Sequence, residues 1–185
     1  MYSGYKIKPY VVYAIILVFS ILIFAPTCFS QNIPAKKRFT VAFAQDNMAN
    51  DWRAAQVNQF VQYFQNYPDI NFIYTDAEGS TAKQIADIEN LMHSNIDVLM
   101  TSPGDSFAMT PVISNAYQKG IPVVLVTRTV QNQDYTSFIG PDDEKIGKLA
   151  GRFLANHLKG KGQILVLRGL PAATTAIART KGFLA

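Results

Sequence analysis

Residues 96–128 read IDVLMTSPGDSFAMTPVISNAYQKGIPVVLVTR, and this stretch decides the fold. Two apolar, β-branched runs, IDVLMT (96–101) and IPVVLVT (121–127), flank a segment at 109–118 whose apolar residues recur at helical spacing. Gly120-Ile-Pro122 supplies the punctuation that ends the helix and opens the second strand. A strand, a helical crossover and a second strand is the connection that parallel strands require. The near-continuous hydrophobicity of both runs suits strands covered on both faces.

The same alternation extends outward in both directions. Further apolar runs are FTVAFA (39–44), INFIYT (70–75) and QILVLRG (163–169), and helical spacing recurs over 52–66, 81–93 and 144–158. In the second of these helices Ile85, Ile88, Leu91 and Met92 share one face. Gly160-Lys-Gly162 separates the last helix from the last run. Strand and helix alternating in this way predict an α/β fold with a doubly wound parallel sheet. Such a sheet binds ligands beyond the carboxyl ends of its strands, which directs attention to the residues that follow each run.

Length and composition bound the reading. At 185 residues the chain accommodates one domain, or one and a fragment, but not two full lobes. With 49% hydrophobic residues and a mean hydropathy of +0.07, a buried core is affordable and neither global disorder nor a polytopic membrane protein fits. The net charge of +4 includes Lys6 and Lys8 in an otherwise uncharged leader, and no clustered basic face of the kind that binds nucleic acid is visible.

That leader has Lys6 and Lys8, then the 16-residue uncharged run YVVYAIILVFSILIFA (10–25), then Pro26 and TCFSQN. The layout is that of a secretory signal peptide, expected over residues 1–30 with cleavage after Ser30 and a linker over 31–37. The apolar run is shorter than the roughly 20 residues of a membrane-spanning helix. Cys28, the only cysteine, reads either as a small residue of the signal or as a lipid-modified cysteine preceded by Thr27. A cysteine-poor exported α/β protein points to a bacterial periplasm.

Catalytic signatures are missing. The first strand-to-helix turn, AQDNMANDW, has no glycine and so cannot cradle a phosphate as nucleotide folds do. His93 and His157 lie far apart on helices with no metal-ligand spacing, and no GxSxG elbow occurs. Neither cofactor nor metal is expected, and binding is favoured over catalysis.

The strand ends carry polar and aromatic residues instead. After the first run come Gln45, Asp46 and Asn47, then Asp51-Trp52-Arg53, which contains the only tryptophan. An aromatic face packs on the apolar face of a sugar ring, while planar side chains serve its hydroxyls. Trp52 beside Arg53 supplies both, although Trp52 alone also reads as a core residue opening a helix. After the third run Asp105 or Ser106 reads as a cap for the next helix. After the fourth, Arg128 must find water, a carboxylate or a ligand. Arg179, beyond the small-residue loop after the fifth run, reads most simply as a solvated helix residue.

Three segments together, VAFAQDNMANDWRAA (41–55), SPGDSFAMTPVISNAYQKGIPVVLVTR (102–128) and GLPAATTAIARTKGF (169–183), resemble the periplasmic sugar-binding proteins of ABC importers, the group that includes ribose- and galactofuranose-binding proteins. The resemblance runs from about Arg38 to the end. It implies two α/β lobes that close on a monosaccharide and present it to a membrane permease. It further implies that Trp52 stacks on the sugar ring, that Arg53, Arg128 and Gln45 contact its hydroxyls, and that Arg179 reaches in from the second lobe. The segment TSFIGPDDEKIGKLAGRF (136–153) looks like the first hinge crossing, which places the first lobe at 38–141 and an incomplete start of the second at 142–185. Many of these proteins have Asp-Arg after the fourth strand where this chain has Thr127-Arg128, and a hydroxyl does not replace a carboxylate acceptor. The same fold serves as the exported input domain of chemoreceptors and histidine kinases, which is the alternative reading.

Overall fold

The computed structural model describes residues 38–185, so the signal-peptide, linker and Cys28 readings lie outside the described residues. Five strands, β1 (Phe39–Gln45), β2 (Ile70–Asp76), β3 (Val98–Thr101), β4 (Val123–Val126) and β5 (Ser137–Ile139), pair in parallel in the order β2-β1-β3-β4-β5. The helices are α1 (Asp51–Phe64), α2 (Thr81–His93), α3 (Thr110–Gln118), α4 (Asp143–His157) and α5 (Thr174–Leu184).

Side chains alternate across a strand, and here both faces are apolar. Ala42 and Ala44 of β1 join Leu99, Val123 and Leu125 against Ile88 and Leu91 of α2 and Val112, Ile113 and Ala116 of α3. Val41 and Phe43 join Met100 and Val126 on the opposite face, against Val57, Phe60, Val61 and Phe64 of α1. Burial on two faces is why these strands read as continuous apolar runs. The stripe of α2 is as expected from the sequence, with Ile85 and Met92 flanking the buried Ile88 and Leu91.

The helix ends follow from local chemistry. Asn50, Ser80 and Asp142 each accept a hydrogen bond from the backbone N–H three residues on, satisfying a donor the helix leaves free. Asp105 Oδ1 accepts from the N–H groups of Phe107 and Ala108, capping the turn that leads to α3. Gly120, at φ +81°, ends α3 in the left-handed region that glycine enters without strain. His93 and His157 are exposed on their helices.

Two expectations are corrected. The run at 163–169 forms no strand: Leu165 and Leu167 are each 88% exposed, and among the described residues no strand runs beside it. A continuous apolar run becomes a strand only when a neighbour takes up its backbone hydrogen bonds. Conversely, β5 was not anticipated, because its three residues Ser137–Ile139 are too few to show a period; pairing with Val124, Leu125 and Val126 is what makes them a strand.

Helices α4 and α5 pack with their backbones almost touching. A Cβ placed on Gly147 would fall on the carbonyl of Arg179, and one on Gly182 would fall on the carbonyl of Glu144. The start of α5 is tied to the strand ends: Ser106 donates from both its N–H and its Oγ to the Ala172 carbonyl (3.1 and 3.2 Å), and the Thr129 N–H donates to Thr174 Oγ1 (3.1 Å). These contacts set where Arg179 stands.

Gly147→Ala is therefore expected to lower stability by about 1–3 kcal/mol, the usual range for overpacking a close contact. Urea unfolding of the variant beside the parent checks this, and an unchanged midpoint would mean that α4 and α5 are not held this closely.

Candidate functional site

Strand β1 is followed in the chain by β2 on one side of it and then β3 on the other, so the crevice at the carboxyl ends of β1 and β3 is the switch point of the sheet. Asp46, the first residue past β1, lies there only 3% exposed. A buried carboxylate must be paired. Its Oδ2 accepts from Arg128 Nη1 at 2.6 Å and from Asn47 Nδ2 at 2.9 Å, and its Oδ1 lies 3.5 Å from Arg53 Nε.

The two arginines are held from several sides. Arg53 Nη1 donates to Ser102 Oγ at 2.8 Å and to Gln56 Oε1 at 3.4 Å. Arg128 Nη1 also reaches the Pro103 carbonyl at 3.3 Å, while its buried Nε has no hydrogen-bond partner. Burial pushes the Arg53 guanidinium down to about 10; Asp46 pulls it up and the neighbouring Arg128 charge pushes it further down. At neutral pH the group remains charged, so its desolvation is a standing cost that Asp46 offsets.

Arg128 is delivered by an unusual turn. Thr127 has φ +65°, rare for a β-branched residue, and the Arg128 N–H donates to the Val126 carbonyl two residues back at 2.8 Å. This γ-turn is strained, and it is held by the Thr127 N–H donating to the Ile139 carbonyl at 2.7 Å and by Thr127 Oγ1 lying 3.1 Å from Ser102 Oγ. Strained backbone of this kind clusters at binding sites.

A cleft of about 420 Å³ opens beside this cluster. Trp52, Arg53, Arg128 and Arg179 all line it, together with Thr127, Pro141 and Thr175. Four of the five residues singled out in the sequence thus converge from three distant segments. Trp52 is 59% exposed, so it is not a core residue opening a helix; the Arg53 guanidinium carbon sits 5.0 Å from its ring centroid. Arg179 is not merely solvated: its Nε donates to Asp143 Oδ1 at 2.7 Å. Gln45 is the exception, fully buried behind the site, donating to Gln56 Oε1 and accepting from the Asp46 N–H.

Sequence reasoning did not single out Asp46, Ser102, Thr175 or Asp143. Asp46 carries a usable signal, a carboxylate at the end of an apolar strand, whereas Asp143 stands in the first turn of α4, where an acidic residue is favourable whatever else it does. Among the described residues, no group of three or more His, Cys, Asp or Glu side chains comes together to hold a metal.

Comparison with known proteins gives concordant results. The family described as periplasmic binding protein domain matches residues 41–185. The ribose import binding protein of Bacillus subtilis is 26% identical over 148 residues, 80% of this chain and 48% of that protein. Among solved structures, the fructose-binding periplasmic domain of a hybrid two-component system superposes with a TM-score of 0.77 at 35% identity, covering 80% of this chain and 49% of that one. A galactofuranose-binding protein superposes at 0.73 with 28% identity, covering 78% and 50%. The chain spans about half the length of the curated relatives it matches.

Removing the central carboxylate tests the site's architecture. Asp46→Ala strands two buried guanidinium groups and is expected to cost about 3–5 kcal/mol, with Asp46→Asn, which keeps an acceptor but not the charge, losing less. Chemical denaturation of both variants checks this; midpoints equal to the parent's would show that Asp46 does not clamp the pair.

Proposed function

The chain belongs to the periplasmic binding protein family, and from that premise we propose that it is part of a solute receptor that captures a monosaccharide and delivers it to an ABC permease in the inner membrane. The observation that carries this reading is the convergence of Trp52, Arg53, Arg128 and Arg179 on one cleft at the switch point of the sheet. An exposed indole face suits the apolar face of a pyranose or furanose ring, and guanidinium groups held in place by Asp46 and Asp143 donate to its oxygens without having to be ordered on binding. Gln45 acts behind them, holding Gln56, which in turn accepts from Arg53.

The proposed lobe boundary lies between Pro141 and Asp142. Strands β1–β5 share one sheet, and the chain leaves it at β5 to enter α4, which packs chiefly on α5. Arg179, on α5, then faces Trp52 and Arg128 across the cleft. The activity is binding with no chemical step, as the names of the ribose and galactofuranose relatives indicate for those proteins. Export to the periplasm by the signal over residues 1–30 completes the reading.

A second reading, a periplasmic input domain that reports sugar to a sensor kinase, is favoured by the fructose-binding domain described above. Gene deletion separates the two: loss of labelled-sugar uptake supports the importer, whereas intact uptake with loss of a sugar-induced transcriptional response supports the sensor.

Monosaccharides are expected to raise the melting temperature of the full-length protein by several degrees at about a hundredfold excess over Kd, and Trp52→Ala should abolish the shift. A broad panel of pentoses and hexoses that leaves the melting temperature unmoved would count against sugar binding.

A further inference from the structure

Two of the cleft arginines lean on one short turn, Ser102-Pro103-Gly104. Ser102 Oγ accepts from Arg53 Nη1 at 2.8 Å, and the Pro103 carbonyl accepts from Arg128 Nη1 at 3.3 Å. The turn lies past the end of the sheet, because the last residue of β3 in register with its neighbours is Thr101, opposite Ala44 of β1 and Leu125 of β4. Pro103 has no N–H of its own to donate. The turn therefore needs a hold from outside the sheet if the arginines are to stand in one place.

Gln84 of α2 supplies that hold. It is only 1% exposed, and its side-chain amide brackets the turn: Nε2 donates to the Ser102 carbonyl at 3.0 Å and to the Ala44 carbonyl at 3.2 Å, while Oε1 accepts from the Gly104 N–H at 3.0 Å. Thr101 Oγ1, 3.3 Å from the same Nε2, itself donates to the Ala44 carbonyl at 2.8 Å. Two carbonyls at one end and an N–H at the other allow a single orientation of the amide. Only a primary amide offers two planar donors and an acceptor without charge, and asparagine is one methylene shorter. A Cβ on Gly104 would stand 3.3 Å from Gln84 Oε1, so the turn is already close against the amide. All of these groups belong to the sheet, its helices and the turns between them, so the clamp is independent of the second lobe.

Resting on the reading of this cleft as the ligand site, we infer that Gln84 is a positioning residue for ligand binding, which orients Arg53 and Arg128 through the Ser102–Gly104 turn. It is absent from the lining of the cleft and borders instead a smaller recess beside Asp46 and Gly104. Without its amide the Ser102 carbonyl and the Gly104 N–H lose their partner, the turn shifts to find others, and the acceptors that aim the two guanidinium groups move with it. Binding then has to order those groups, which costs affinity.

Gln84→Met keeps the reach of the side chain and removes both hydrogen-bonding functions. Titration calorimetry of the full-length protein with D-ribose, D-fructose and D-galactose should show the variant binding whichever of them the parent takes about tenfold or more weakly. Ser80→Ala removes the cap of the same helix and leaves the turn untouched, so it should lower the melting temperature with Kd unchanged. Equal affinities of parent and Gln84→Met, or an equal weakening by Ser80→Ala, overturn the inference. A ligand-free measurement decides independently of the sugar: by NMR, the Arg53 and Arg128 Nε–H groups should exchange with water about tenfold faster in Gln84→Met, and unchanged exchange overturns the inference. A parent that binds none of the three sugars counts against the sugar reading alone, and the exchange rates then settle the role of Gln84. Should Gln84→Met not fold, Gln84→Asn, one methylene short of spanning the turn, is read in the same way. Failure of both to fold makes Gln84 a residue of the fold rather than of the site and overturns the inference.

Discussion

Asp46 holds Arg53 and Arg128 at the carboxyl end of β1, and most of what the site can do depends on that three-way contact. Two guanidinium groups buried side by side repel one another and lose their water, so a lone pair of them would open the crevice or move out to solvent. With Asp46 between them they stay. Ser102, Gln56 and the Pro103 carbonyl then fix their orientation, so the site is formed by β1, β3, β4 and α1 acting together rather than by any one loop.

The opposite wall is positioned by a different force. Glycines at the α4–α5 contact let the two backbones approach until side chains are excluded, and the Ser106 and Thr129 hydrogen bonds tie the start of α5 to the strand ends. Arg179 is thus set by close packing at one end of its helix and by polar ties at the other. Its ion pair with Asp143 holds the guanidinium without burying it, which leaves it free to meet a ligand. The strained turn at Thr127 sits between the two walls, where its deviation from ordinary strand geometry carries Arg128 across to Asp46.

How far the sequence could be read depended on how local each signal was. The buried strands β1, β3 and β4 were legible because an apolar run covered on two faces needs no partner to be recognised. Residues 163–169 have the same signature and form no strand, since pairing is supplied from outside the segment, while three-residue β5 has almost no signature and is a strand because β4 is beside it. At the site, residue type was enough to mark Trp52, Arg53, Arg128 and Arg179. It did not place Gln45 behind the cleft instead of in it, nor reveal that Asp46 joins two arginines 75 positions apart in the chain.

By itself the sequence determined the alternation of strand and helix, the absence of a phosphate-cradling glycine loop at the first turn, and the set of aromatic and basic residues at the strand ends. Those are properties of composition and short-range spacing, which the chain carries whatever its fold. Only the tertiary structure decided which of those residues share a cleft, which arginine donors are already occupied, and that one buried carboxylate, Asp46, lies between two of the arginines. The physical reason is that charge compensation and hydrogen-bond saturation depend on distances between segments remote in sequence, and those distances exist only once the sheet has brought the strand ends together.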